Sequence, residues 1–138
     1  MIFVPDTNVI ISAWVFDRRP LEFIVNAIGA GHELVVCPEI VDEVCDVLER
    51  PHILRARNKR NFTPPPIEVF LRFARIVKTM PVASGIRDLK DEMILGCAVA
   101  AGANCIITGD KDLLVLGSFR NIEILTVADA WSRFFALE

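Results

Sequence analysis

Apolar positions along this chain fall into two alternating rhythms. Short continuous runs occur at Met1 to Pro5, Leu34 to Cys37, Met80 to Ala83, Cys105 to Ile107 and Ile122 to Leu125. They are too brief for helices and apolar at successive positions, so they read as strands buried on both faces of a parallel sheet. Between them apolar residues return at helical spacing. Val9 to Val15 forms one apolar turn, and Leu21, Ile24, Val25 and Ile28 form a stripe halted by Gly29 and Gly31. Ile40, Val44, Val47 and Leu48 follow Pro38, a residue suited to a helix start. Ile67, Phe70, Leu71, Ala74 and Val77 follow the Pro64-Pro65-Pro66 turn. Ile94, Cys97, Ala98 and Ala101 precede Gly102, a helix stop. Leu113 to Leu116 reads as a short turn, and Thr126 with Asp129 opens a terminal helix bearing Trp131 and Phe134. Strands alternating with helices predict an α/β fold with a parallel sheet covered on both sides.

With 138 residues the chain predicts a single domain, 1–138. Its hydrophobic content, 53% with mean hydropathy +0.44, is high for a lone monomer and predicts an oligomer in which a partner covers apolar surface. No apolar run reaches the ~20 residues that span a bilayer, and the start MIFVPDTN lacks the basic region of a signal peptide. The expectation is a cytoplasmic protein with no membrane partner. Cys37, Cys45, Cys97 and Cys105 sit in apolar segments without a CxxC pair, which predicts buried reduced thiols, neither disulfides nor a zinc site. His32, just before a strand, reads as a loop or strand-edge residue.

Acids gather at the strand tips. Asp6 ends the first run, and Asp110 and Asp112 follow the run Cys105 to Ile107. In open α/β sheets ligands sit at the carboxyl edge of the strands, and right-handed crossovers make these two strands neighbours. Asp91 lies on the helix feeding the second of them, and Glu43 borders the buried stripe of the Pro38 helix. Helix capping is an alternative for each aspartate: Asp6 before the Val9 turn, and Asp88 with Asp91 as a capping-box-like pair. Four converging carboxylates raise one another's pKa unless a cation offsets them, and a donor set without His or Cys favours Mg²⁺ or Mn²⁺ over Zn²⁺.

Charge is unevenly distributed. From Arg50 to Lys78 eight basic residues face the single acid Glu68, a net of +7, which leaves −10 on the remainder of a chain whose total is −3. Arg55, Arg57, Lys59 and Arg60, with Phe62 beside them, form a segment able to hold a phosphate backbone and stack a base; a solvated helix end explains the same residues.

The strand running into Asp6-Thr7-Asn8, the acid inside PEIVDEV, the helix DEMILGCAVAAGA opening at Asp91, and then IITGDKDLL together resemble the PIN domain family, and within it the toxin components of toxin-antitoxin systems (VapC-like). The likeness spans nearly the whole chain. DTN after a strand is weak by itself; the helix followed by TGDKDLL is specific. The resemblance implies a three-layer α/β/α sandwich, Mg²⁺-dependent endoribonuclease activity on RNA, a homodimer and an antitoxin partner. Carried over by position, Asp6, Glu43, Asp91 and Asp110 are the catalytic, metal-binding carboxylates. Asp112 joins the metal group, and Asn8 and Asp88 stand behind it. Leu89 departs from the pattern, since related sequences often carry proline there.

Such a site predicts hydrolysis by water in line with a leaving oxygen, without a protein nucleophile. His32 and His52 lie far in sequence from the acids, which disfavours a histidine-pair ribonuclease. Two other classes share parts of the pattern. A phosphoryl-transfer domain of haloacid-dehalogenase or receiver type also puts an aspartate after its first strand, but the position two residues on is Asn8, and Lys111 is badly placed between two acids. A non-catalytic PIN-like binding module would keep the fold alone.

Overall fold

A computed structural model of the chain describes residues 1–135; positions 136–138 of the expected 1–138 domain lie outside the described residues. Within the described residues the strands are β1 (Ile2–Pro5), β2 (Glu33–Val36), β3 (Arg75–Ile76), β4 (Cys105–Ile107), β5 (Ser118–Phe119) and β6 (Ile122–Leu125). They form one sheet in the order β3-β2-β1-β4-β6-β5, parallel except for β5 at its edge. The two most apolar strands, β1 and β4, lie side by side at the centre, with Phe3 opposite Cys105 and Pro5 opposite Ile107.

Helices cover both faces, giving the expected three-layer sandwich. α1 (Thr7–Ile11) runs on into a π-helical segment, Ser12–Phe16, and α2 (Arg18–Gly29) follows. Asp17 begins α2 by accepting a hydrogen bond from the Arg19 amide at 3.0 Å. α2 packs against β2 and against the terminal helix α8 (Val127–Phe135). There Phe3 meets Phe23 and Phe134 edge to face, with ring centroids 5.7 and 5.3 Å apart. α6 (Leu89–Ala101) lies along β1, β2 and β4, and ends where Gly102 takes a left-handed φ of 64° that a side chain would disfavour. α3 (Pro38–Leu48), α4 (Pro51–Lys59) and α5 (Ile67–Phe73) continue the outer layers, and α7 (Lys111–Leu114) is the short turn after β4.

Three expectations are corrected. The helix after the prolines stops at Phe73 and does not run to Val77, because residues 75 and 76 pair with Val35 and Val36 as β3. Arg75 pins this edge through Glu33 and through the Ala101 carbonyl, 3.2 Å away. Met80 to Ala83 is consequently no strand. The segment lies against α6 without ladder pairing, as suits a stretch with Pro81. Cys45 is exposed, while the other three cysteines are buried, since Cys45 follows the Ile40–Val44–Leu48 stripe by one residue and turns away from it. β5 is an addition: Arg120 and Asn121, with φ of 49° and 67°, make a tight two-residue hairpin turn to β6.

Candidate functional site

Because β1 and β4 are adjacent and parallel, they end at the same edge and release their following residues together. Asp6 leaves β1 with its amide bonded to the Ile107 carbonyl at 2.9 Å. From β4 the chain passes through Thr108, which is buried, to Asp110. The Thr108 hydroxyl donates to Asp6 Oδ2 at 2.8 Å and accepts from the Asp110 amide at 3.0 Å, joining the two strand tips through one oxygen.

The capping alternative divides among the aspartates. Asp6 occupies the N-cap position of α1, but its side chain makes no cap hydrogen bond. At the start of α6 the cap is Asp88, which accepts from the Lys90 amide at 2.8 Å. Asp91 is only 5% exposed and its Oδ2 has no hydrogen-bond partner among the described residues. A cap would have supplied one. Asp110 does cap α7, accepting from the Asp112 amide at 2.9 Å, and this turn brings Asp112 round to the same place. One carboxylate oxygen from each of Asp91, Asp110 and Asp112 lies within 4.8 Å of the others.

Electrostatics follow from this crowding. Burial, with the negative charges of Asp110 and Asp88 beside it, pushes the Asp91 carboxyl up to about 6. Asp6 is raised as well: burial outweighs the Thr108 hydrogen bond that holds it down, and Asp110 and Glu43 add to the rise. Glu43 reaches the site from α3, accepting from the buried Thr7 hydroxyl at 3.3 Å and from Lys90 Nζ at 3.0 Å. Sequence gives no role in the site to Thr108 or Lys90, and offers Thr7 only within the Asp6-Thr7-Asn8 run. Thr108 could have been found in the TGD run after an apolar strand; Lys90 could not, because its pairing with Glu43 joins α3 to α6.

Thus Asp91, Asp110 and Asp112 come together, Asp6 is tied to Asp110 through Thr108, and Glu43 flanks them in the grip of a lysine. Asp88 serves as the helix cap, and Asn8 is exposed on the first turn of α1. This group fits a divalent cation. Its donors are hard oxygens alone, and the unpartnered buried Asp91 oxygen among like charges is what a cation would satisfy.

The basic segment divides in two. Arg57 donates to the Leu48 carbonyl at the end of α3 (3.1 Å) and lies 3.8 Å from Glu49, while Arg60 donates to the Phe62 and Trp14 carbonyls at 3.2 and 3.1 Å. Arg55 and Lys59 are exposed. The Phe62 ring carries the Arg18 guanidinium 6.0 Å from its centre.

A family model described as a PIN domain matches residues 3–112. No curated protein matches the chain. Among solved structures, a chain in the crystal structure of VapBC2 from Rickettsia felis, bound to a DNA fragment from their promoter, is similar in fold. The TM-score is 0.60 at 14% identity, over 90% of this chain and 97% of that one. The family match takes in β1 through Asp112, and with it the whole acidic edge, so the chain belongs to the PIN domain family.

Proposed function

We propose that this protein is a metal-dependent endoribonuclease, the toxin component of a toxin-antitoxin pair, in which Asp6, Glu43, Asp91, Asp110 and Asp112 form the catalytic carboxylate group. PIN membership supports a nuclease, and leaves the haloacid-dehalogenase and receiver readings without support. One observation carries the site assignment: the buried, unpartnered Oδ2 of Asp91, on a residue that shares with Asp110 and Asp112 a space of ion-binding size.

Asp91, Asp110 and Asp112 would hold Mg²⁺ or Mn²⁺. When bound, such an ion neutralises the scissile phosphate and makes water a stronger acid. The protein's own groups do the rest. Thr108 fixes Asp6 against the site, so that Asp6 can orient water near the phosphate. Lys90, 3.0 Å from Glu43, offsets that carboxylate and keeps the phosphate's surroundings from being uniformly negative. His32 is occupied elsewhere: its Nδ1 meets the chain's amino terminus at 2.9 Å and its ring packs on Phe3 and Phe135. Acid-base work by a histidine pair has no support. Arg55 and Lys59 would meet the phosphate backbone, with Arg57 and Arg60 behind them.

The likeness to a VapBC2 chain supports an antitoxin protein as partner. A homodimer is supported by the large apolar side chains left in solvent, among them Phe16, Phe73, Ile76 and Val115. Among the described residues no helix is long and apolar enough to cross a membrane. A cytoplasmic location and a single domain are part of the same proposal.

The test is cleavage of single-stranded RNA with and without Mg²⁺. Wild-type protein should cleave only with the ion, and Asp6→Asn, Asp91→Asn and Asp110→Asn should each lower kcat by at least about a hundredfold. Pairs of these changes should cost little more than one, since groups holding one ion act as a unit. Cleavage that survives EDTA or Asp91→Asn would overturn the metal-site reading, and a folded protein that never cleaves would leave the non-catalytic binding module.

A further inference from the structure

Beside the aspartates lies a groove of about 690 Å³, between the start of α1, the first turns of α2 and the outer side of α8. Thr108 and Gly109 form one end of it, so the hydroxyl that joins Asp6 to Asp110 is also part of the groove wall. Its floor is apolar, made by Val9, Pro20, Val127 and the half-buried indole of Trp131. That indole is braced by Phe23 and Phe135, with centroids 6.4 and 5.5 Å away, which fixes its plane. Asn8 and Ser12, one helical turn apart, set an amide and a hydroxyl along the rim.

We propose that this groove receives a base of the RNA strand, stacked on Trp131 with its polar edge toward Asn8 and Ser12. The inference rests on the nuclease reading and adds the substrate's recognition to it. Size admits a small planar ligand. Charge selects a base over a phosphate: among the described residues of the wall the one basic side chain, Arg19, has its guanidinium 3.9 Å from Asp17, and Glu22 stands nearby. A flat, uncharged ring with hydrogen-bonding edges suits such a surface, and base stacking on an aromatic platform tolerates every base. Continuity with the acidic edge would let the strand place a base here and the adjoining phosphate at the aspartates.

The probe is a short single-stranded oligoribonucleotide, compared with an abasic ribose-phosphate oligomer of equal length, both added to the full chain in EDTA. Indole emission is the readout. Trp14, 4% exposed and bonded to the Pro65 carbonyl at 2.7 Å, gives a constant background, and Trp131→Phe reports that background alone. The expected result is quenching by RNA, none by the abasic oligomer, and no quenching in Trp131→Phe. Ala128 is exposed and lines the groove, so Ala128→Leu narrows it beside Trp131 without disturbing the core. That variant should melt like wild type and bind RNA about fivefold or more weakly. RNA binding without quenching, equal quenching by the abasic oligomer, or full affinity in Ala128→Leu would each overturn the proposal. Because no divalent ion is present, quenching by a protein that later fails to cleave would sink the nuclease reading alone, and cleavage without quenching would sink only the base groove.

Discussion

Asp91 has its pKa near 6 in the folded chain against an ordinary 3.8, so between those values the folded state keeps a proton that the unfolded chain has released. The group therefore favours folding most at low pH. Its contribution falls as pH rises from about 4 to about 6, and is constant above that window. The raised Asp6 acts in the same direction. In EDTA, melting temperature should decline over this range in wild type and decline less in Asp91→Asn, which should melt several degrees higher at pH 7.5. Millimolar Mn²⁺ should reverse the order by stabilising wild type alone. A variant that melts lower than wild type in EDTA would make Asp91 a helix-start residue after all. Sequence could put Asp91 in the site or in a cap with equal ease, since both want an acid at the third helical position. What separates them is the cap hydrogen bond that Asp88 takes and Asp91 does not.

At the scale of elements, α6 decides whether the aspartates meet, and it depends on a glycine. Gly96 lies where the segment after β3 crosses the helix. A Cβ there would run into the Met80 carbonyl oxygen and come within 2.6 Å of Thr79 Oγ1, whose hydroxyl is bonded to the Met93 carbonyl at 3.0 Å. In an open helix Gly→Ala gains up to about 1 kcal/mol. Here Gly96→Ala should instead destabilise by about 1 to 3 kcal/mol, because the obstacle is backbone and cannot rotate away. Chemical denaturation checks this, and a stabilised variant would mean that the crossing segment is not held on α6. The same crossing explains which elements sequence could reveal. β1, β2, β4 and β6 are spelled out by continuous apolar runs, and α2, α3, α6 and α8 by helical stripes punctuated by Gly29, Pro38, Gly102 and Thr126. β3 is a two-residue strand, set by pairing with β2 and by Arg75 reaching across to Glu33 and Ala101, none of which leaves a periodic signal. The β5 turn likewise hides, because Arg120-Asn121 takes the left-handed conformations that Asn-Gly would have advertised.

Across the whole molecule the unequal charge was legible from counting residues, yet the division of labour within it was not. Reading the segment as four equivalent phosphate contacts ignores that Arg57 and Arg60 spend their guanidinium groups on carbonyls of Leu48, Phe62 and Trp14. Arg60 ties the chain beyond α4 to Trp14 in the middle of the π-helical segment, and burial and nearby Arg57 pull its pKa down, as expected for a cation partly withdrawn from water. Removing it leaves two carbonyl oxygens without their donor, so Arg60→Gln should cost about 1 to 3 kcal/mol in stability. Arg55 and Lys59 are exposed, and their joint change to glutamine should leave the melting temperature nearly unaltered. If they meet the RNA backbone, that double variant should weaken binding and reduce the slope of log affinity against log salt by about 1.4, the value for two phosphate contacts on a single strand. Paired thermal melts and salt-dependent RNA titrations on the two variants decide the matter. An unchanged salt slope for the Arg55/Lys59 variant would move the RNA path off α4, and an Arg60→Gln protein as stable as wild type would show that its two carbonyl contacts are replaced by water without loss.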